Sequence, residues 1–121
     1  MPKTDVFSLS FSRVFSLLVA KVERKGKKRE DVEKAIEWLS GFGTEDIKAM
    51  EEGNATWGEF LSSFPSPNPL RLEKKGKICG IAVQDIPPGM ERDMRILDLM
   101  VDEIARGKDL EKVFLNENKK S

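Results

Sequence analysis

The sequence contains no histidine and no tyrosine, and a single cysteine. Without histidine there is no Ser-His-Asp or Cys-His catalysis, no imidazole metal ligand and no switch titrating near neutrality. Without tyrosine there is no phenolic acid. One cysteine cannot close an intrachain disulfide, and beside the missing histidine it leaves no ligand set for a structural zinc ion. Net charge is lacking too: 21 basic residues balance 21 acidic ones, so no global field draws the chain to nucleic acid or to an anionic membrane. Long apolar runs are missing. The longest near the start, Leu17-Leu18-Val19-Ala20, is far shorter than a signal-peptide core or a membrane span. No P-loop appears, and Gly41-Phe42-Gly43-Thr44 reads as a turn between helices rather than a phosphate loop. These absences set the expectation of a cytoplasmic protein with no cofactor, no metal and no catalytic motif.

What remains is enough for a fold. A chain of 121 residues can bury a real core as one domain. Charged residues make up 35% of it, above the usual quarter, which suits helices with ion-paired outer faces. The charge falls in blocks: residues 1–29 are net +6, 30–64 net −7, 65–77 net +3 and 78–121 net −2. Such blocks can meet within one fold or across two subunits.

Apolar spacing predicts the elements. Phe7, Phe11, Val14, Phe15, Leu18 and Val22 line a first helix of about 10–25, stopped by Gly26. Val32, Ala35, Ile36 and Leu39 line a second from about Arg29 to Ser40, with Glu30 and Asp31 favouring its dipole. Gly41 ends it, Phe42 folds back on the core and Trp38 is half-buried. Thr44 is read as the cap of a short third helix, 45–52, with Ile47 and Met50 inward. Thr56 with Glu59 is a capping box that starts a fourth, carrying Trp57, Phe60, Leu61 and Phe64. Pro65-Ser66-Pro67-Asn68-Pro69 is an extended connector inside the domain. Residues 70–86 fit two periods. Cys79, Ile81 and Val83 alternate as in a strand, while Ile78, Ala82 and Ile86 recur as in a helix. Helix is favoured because no second strand is available, with Gly76 and Gly80 on one face admitting another helix. Pro87-Pro88-Gly89 then stops the chain before the longest helix, about 90–106, and a last one, 110–115, is capped by Asp109. The expectation is an all-α, compact single-domain bundle of five to six helices over 1–121, with 70–86 as possible strand and frayed ends at 1–6 and 116–121.

Few residues carry chemistry. Lys74, Lys75 and Lys77 could lower the pKa of Cys79, but Ile78 and Ile81 flank it, and it reads as a small buried hydrophobe. Asp98 and Asp102 share a face that could take a divalent ion; with Arg95 and Arg106 a turn to either side, a solvated ion-paired face is the plainer reading. The long helix has an apolar stripe of Met90, Met94, Leu97, Val101 and Ile104, widened by Ile96, Leu99 and Met100. These last three are either buried on a second flank or an interface.

Several strings, in order, are similar to a known family: Val19 to Gly26, Trp38-Leu39 followed by Gly41-Phe42, Asn68-Pro69-Leu70-Arg71, Ile78-Cys79-Gly80-Ile81, and Leu97-Asp98 through Ala105-Arg106-Gly107-Lys108. Over about Phe7 to Phe114 the chain resembles the small prokaryotic family called domain of unknown function 2200. The resemblance implies a bacterial, single-domain, mostly helical cytosolic protein, and brings no activity, cofactor or catalytic residue.

The leading expectation is a non-catalytic interaction module that self-associates, a dimer first, through Ile96, Leu99 and Met100, or meets an unknown protein partner. The alternative is a binder of small anionic molecules, or an enzyme using Lys, Arg and carboxylates, with Lys21, Glu23 and Arg24 joining Asn68 and Arg71 if the proline connector crosses the first helix. Nucleic-acid binding through Lys21 to Arg29 comes last, because the net charge is zero and no aromatics interleave the basic residues. No membrane association is expected.

Overall fold

The computed structural model describes residues 6–78 and 80–114. Among the described residues there are six α-helices: α1 (Phe11–Glu23), α2 (Arg29–Ser40), α3 (Thr44–Glu52), α4 (Trp57–Leu61), α5 (Met90–Ala105) and α6 (Leu110–Val113). One small antiparallel hairpin joins them, β1 (Lys77–Ile78) and β2 (Ile81–Ala82). The fold is mostly α and compact, as the periodicity predicts.

Local chemistry accounts for most boundaries. Ser10 Oγ accepts from the Arg13 amide at 3.1 Å and starts α1. The α4 capping box is formed both ways: Thr56 Oγ1 accepts from Glu59 N at 3.1 Å, and Glu59 Oε1 accepts from Thr56 N at 2.9 Å. α3 starts at Thr44, one residue earlier than expected; Asp46 reaches back to the Gly43 amide at 3.0 Å and does the capping assigned to Thr44. Asp109 precedes α6 but makes no side-chain cap. The alternate prolines of 65–69 leave Ser66 and Asn68 with donors. Their amides bond Ser40 O at 3.0 Å and Leu39 O at 3.1 Å, satisfying carbonyls at the end of α2 that have no helical partner.

The favoured helix over 70–86 is not formed. Pro69–Glu73 is a 3₁₀ turn, the hairpin follows, and Val83–Asp85 is a second 3₁₀ turn. A partner strand comes from the segment itself: the chain turns back after Ile78, pairs Ile78 with Ile81, and needs no distant strand. Gly76 does permit a close approach, since a Cβ there would lie 3.1 Å from Leu99 Cδ2 on α5. Gly80 does not, as nothing lies within 4 Å of its Cβ position. Of the expectations above, those on Cys79, residues 1–5 and the tail 116–121 lie outside the described residues, whereas Val6 opens a 3₁₀ turn, Val6–Ser8.

α5 is the centre of the core. α1 and α2 pack on it most extensively, and α4, α6 and β1 add further contacts. Phe11, Phe15, Trp57 and Phe60 form an aromatic knot, Phe11 and Phe60 edge to face at 5.2 Å and Trp57 and Phe60 at 4.9 Å. Trp38 is half-buried and stacks on Phe114 at 6.0 Å, and Phe42 folds back on Phe60. The proposed interface side chains are not at the surface. Ile96 and Met100 are 0% exposed and Leu99 is 2% exposed. The broad apolar arc of α5 exists because helices and the 69–82 strap cover it from several sides, so these residues present no area to a partner.

Candidate functional site

The strap from Pro69 to Ala82 runs along α5 and is fastened to it by charge. Arg71 Nε pairs with Asp93 Oδ1 at 2.9 Å near the start of α5. Arg92 reaches over the strap and donates to Leu72 O at 2.9 Å and to Ile86 O at 3.1 Å. Farther along, Lys74 turns inward. Its Nζ lies 2.7 Å from Glu103 Oε1 and 3.0 Å from the carbonyl of Val113 in α6, and only 2% of the side chain is exposed. Burial pushes the Lys74 pKa down, against the pull of Glu103. The other Glu103 oxygen meets Lys108 Nζ at 3.2 Å. The Glu103 carboxylate thereby ties the strap to α5 and to the turn after it, and the Lys74 ammonium adds α6.

Over this pair lies a cleft of about 450 Å³, lined by Lys75, Gly76, Lys77, Leu99, Glu103, Arg106, Gly107 and Lys108. Its walls come from the strap and from the turn that ends α5. Arg106 is held by Asp102, and Lys108 by Glu103. Lys75 and Lys77 have no carboxylate partner among the described residues. The only acid in the lining among the described residues, Glu103, is already shared between two lysines. The cleft is therefore positive in net charge and suits an anion.

The expected ligand group is divided. Asn68 Oδ1 caps the 3₁₀ turn by accepting from Leu70 N at 2.9 Å, and Asn68 O accepts from Arg71 Nη1 at 3.0 Å. Those two residues come together with Asp93. Lys21 pairs instead with Asp102 at 3.3 Å, near the other end of α5. Asp93 and Asp102 are separated by about 14 Å along the helix axis. Glu23 and Arg24 are exposed and without an ion pair among the described residues. The proline connector follows the end of α2 rather than crossing α1, so Lys21, Glu23 and Arg24 do not converge with Asn68 and Arg71.

The lysines of the cleft were not paired in the sequence reading, although a signal was present. Lys75-Gly76-Lys77 and Arg106-Gly107-Lys108 share one pattern, a glycine between two cations. Among the described residues, no three His, Cys, Asp or Glu side chains gather as for a metal ion. No helix in those residues is long and apolar enough to cross a membrane.

Comparison with known proteins agrees with the fold and adds no chemistry. The family described as an uncharacterized protein conserved in bacteria, DUF2200, matches residues 5–115. The crystal structure of uncharacterized protein SP1917 is similar over 99% of this chain and 98% of that one, at 34% identity and a TM-score of 0.88. No curated protein matches the chain.

Proposed function

This chain belongs to the DUF2200 family of bacterial proteins, and from that premise we propose that it is a non-catalytic binding module whose ligand is anionic. One observation carries the reading: the cleft at the end of α5 gathers Lys75, Lys77, Arg106 and Lys108 from two distant segments around a single, already paired carboxylate. Positive side chains collected on a shaped surface recognise anions by charge and hydrogen bonding, with Arg offering a planar fork and Lys a point charge. The reading takes the cytoplasm as the compartment, supported by the single cysteine.

Isothermal titration with pyrophosphate at low salt tests it. Saturable binding is expected, weakened about tenfold or more by Lys77→Glu, a loss of about 1.4 kcal/mol. Heat no larger than dilution at millimolar ligand would end the reading.

Self-association, a dimer first, is the second reading. Its original support, the apolar arc of α5, serves the chain's own core. Its present support is the strap, where Leu70, Leu72 and Ile81 stand exposed. A native mass spectrum showing a dimer that Leu72→Glu splits would support it, and a monomer at all concentrations would remove it.

A further inference from the structure

The pattern of a glycine between two cations occurs a third time, at Lys25-Gly26-Lys27, just past α1. α1 and α5 finish at the same end of the molecule, where Lys21 in the last turn of α1 meets Asp102 in the last turn of α5. Both helices also end in the same way. Lys27 N bonds Val22 O and Lys108 N bonds Glu103 O, each at 3.0 Å, with left-handed glycines at φ 82° and 90°. The shared motif brings the two turns side by side at this end of the molecule. A second cleft of about 450 Å³ results, lined by Lys25, Lys27, Ala105, Arg106 and Gly107. It shares Arg106 and Gly107 with the first. The Lys27 ammonium comes within 3.9 Å of where a Gly107 Cβ would stand, so the two turns touch.

Helix dipoles explain part of this charge, because a C-terminus favours nearby cations. They do not explain Lys75-Gly76-Lys77, which ends no α-helix and faces the α5 turn from the strap. Lys25, Lys27, Lys75 and Lys77 all lack a carboxylate partner among the described residues. Three turns from three parts of the chain thus line two clefts joined at one ridge.

Resting on the anion-binding reading above, we infer that the two clefts form a single groove for a linear oligophosphate, which lies across the Arg106–Gly107 ridge with phosphates in both lobes. The lining favours phosphate chains over single-stranded nucleic acid. Among the described residues it contains no aromatic side chain, and so offers no platform on which a base could stack. A ligand long enough to enter both lobes gains from the effective concentration of its second end.

The test is a chain-length series, from pyrophosphate and tripolyphosphate to longer polyphosphate, titrated against the full chain at fixed salt. Affinity per molecule is expected to rise at least tenfold with length, and Lys27→Glu and Lys77→Glu should each abolish that gain. Lys34→Glu, an exposed lysine on α2 outside both clefts, should leave it intact. Circular dichroism melts confirm that each variant is folded. Two equivalent sites with no gain from length would overturn the groove and leave anion binding standing, whereas no binding at any length would remove both. An equal loss in Lys34→Glu would reduce the effect to diffuse charge and overturn the groove. Tighter binding of a single-stranded oligonucleotide at equal phosphate concentration would also overturn it.

Discussion

Asp98 and Asp102 stand one turn apart on α5 and titrate in opposite directions. Burial pushes the Asp98 carboxyl up, and the charges of Arg95 and Lys21 only partly offset it. Burial acts upward on Asp102 too, but hydrogen bonds from Arg106 and Lys21 outweigh it and hold that carboxyl below the usual range. A carboxyl raised in the folded state gives stability that is present below the unfolded pKa, about 3.9, and lost as pH rises through the folded value. Asp98→Asn is therefore expected to raise the melting temperature at neutral pH, with the advantage closing as pH falls towards about 4. Asp102 has the reverse sign: its stability is present above the unfolded pKa and lost as pH falls through the lowered one. Asp102→Asn should lower the melting temperature at neutral pH and lose that deficit in acid. Parallel melts from neutral pH to well below about 3.9 check both signs. Lys74 poses a different problem. Lys74→Met would leave the buried Glu103 with Lys108 alone, and breaking a buried pair from one side costs about 3–5 kcal/mol. Urea unfolding measures it, and a loss under about 1 kcal/mol would mean that water reaches Glu103 readily. None of this was visible in the run Lys74-Lys75-Gly76-Lys77. By composition the buried lysine resembles its solvated neighbours, and its partner lies far along the chain, at Glu103.

At the scale of elements, the junction of α2 with the proline connector leaves the least room at any glycine of the described residues. Gly41 has φ 85°, and a Cβ there would come within 2.6 Å of Ser66 Cβ and 2.8 Å of Ser66 O. Gly41→Ala should therefore lose more than the roughly 1–2 kcal/mol that a left-handed residue costs by itself, read as a lower urea midpoint. The stop at Gly41 was legible because it is local, whereas the reason for its tightness is Ser66, which no local rule connects to it. The same division holds elsewhere. α1, α2 and α5 were legible because each shows its own apolar period, and the α4 capping box because its two halves stand three residues apart. The strap was misread as helix because Arg71, Arg92, Lys74 and Leu99 hold it in place through contacts that its own periodicity does not encode.

At the scale of the molecule, the width of the apolar arc on α5 was plain in the sequence, but not what covers it. Both flanks are filled from within by α1, α2, α4, α6 and the strap. Leu99→Ala or Met100→Ala is expected to cost about 2–5 kcal/mol of stability, with no change in the native mass of the folded fraction. A stable variant of altered mass would return these side chains to an interface. The candidate cleft escaped the sequence reading for the same reason, since it exists only where the ends of α1 and α5 and the strap come together. The central place of α5 also governs how the chain is made. The apolar faces of α1 and α2 leave the ribosome well before the helix that seals them, because everything between Ser40 and Met90 must be synthesised first. At ~5–20 residues per second that interval is roughly 2–10 seconds. During it the faces of α1 and α2 that pack on α5 lack that cover, so a holding chaperone has its opportunity then, and the core closes only when α5 arrives.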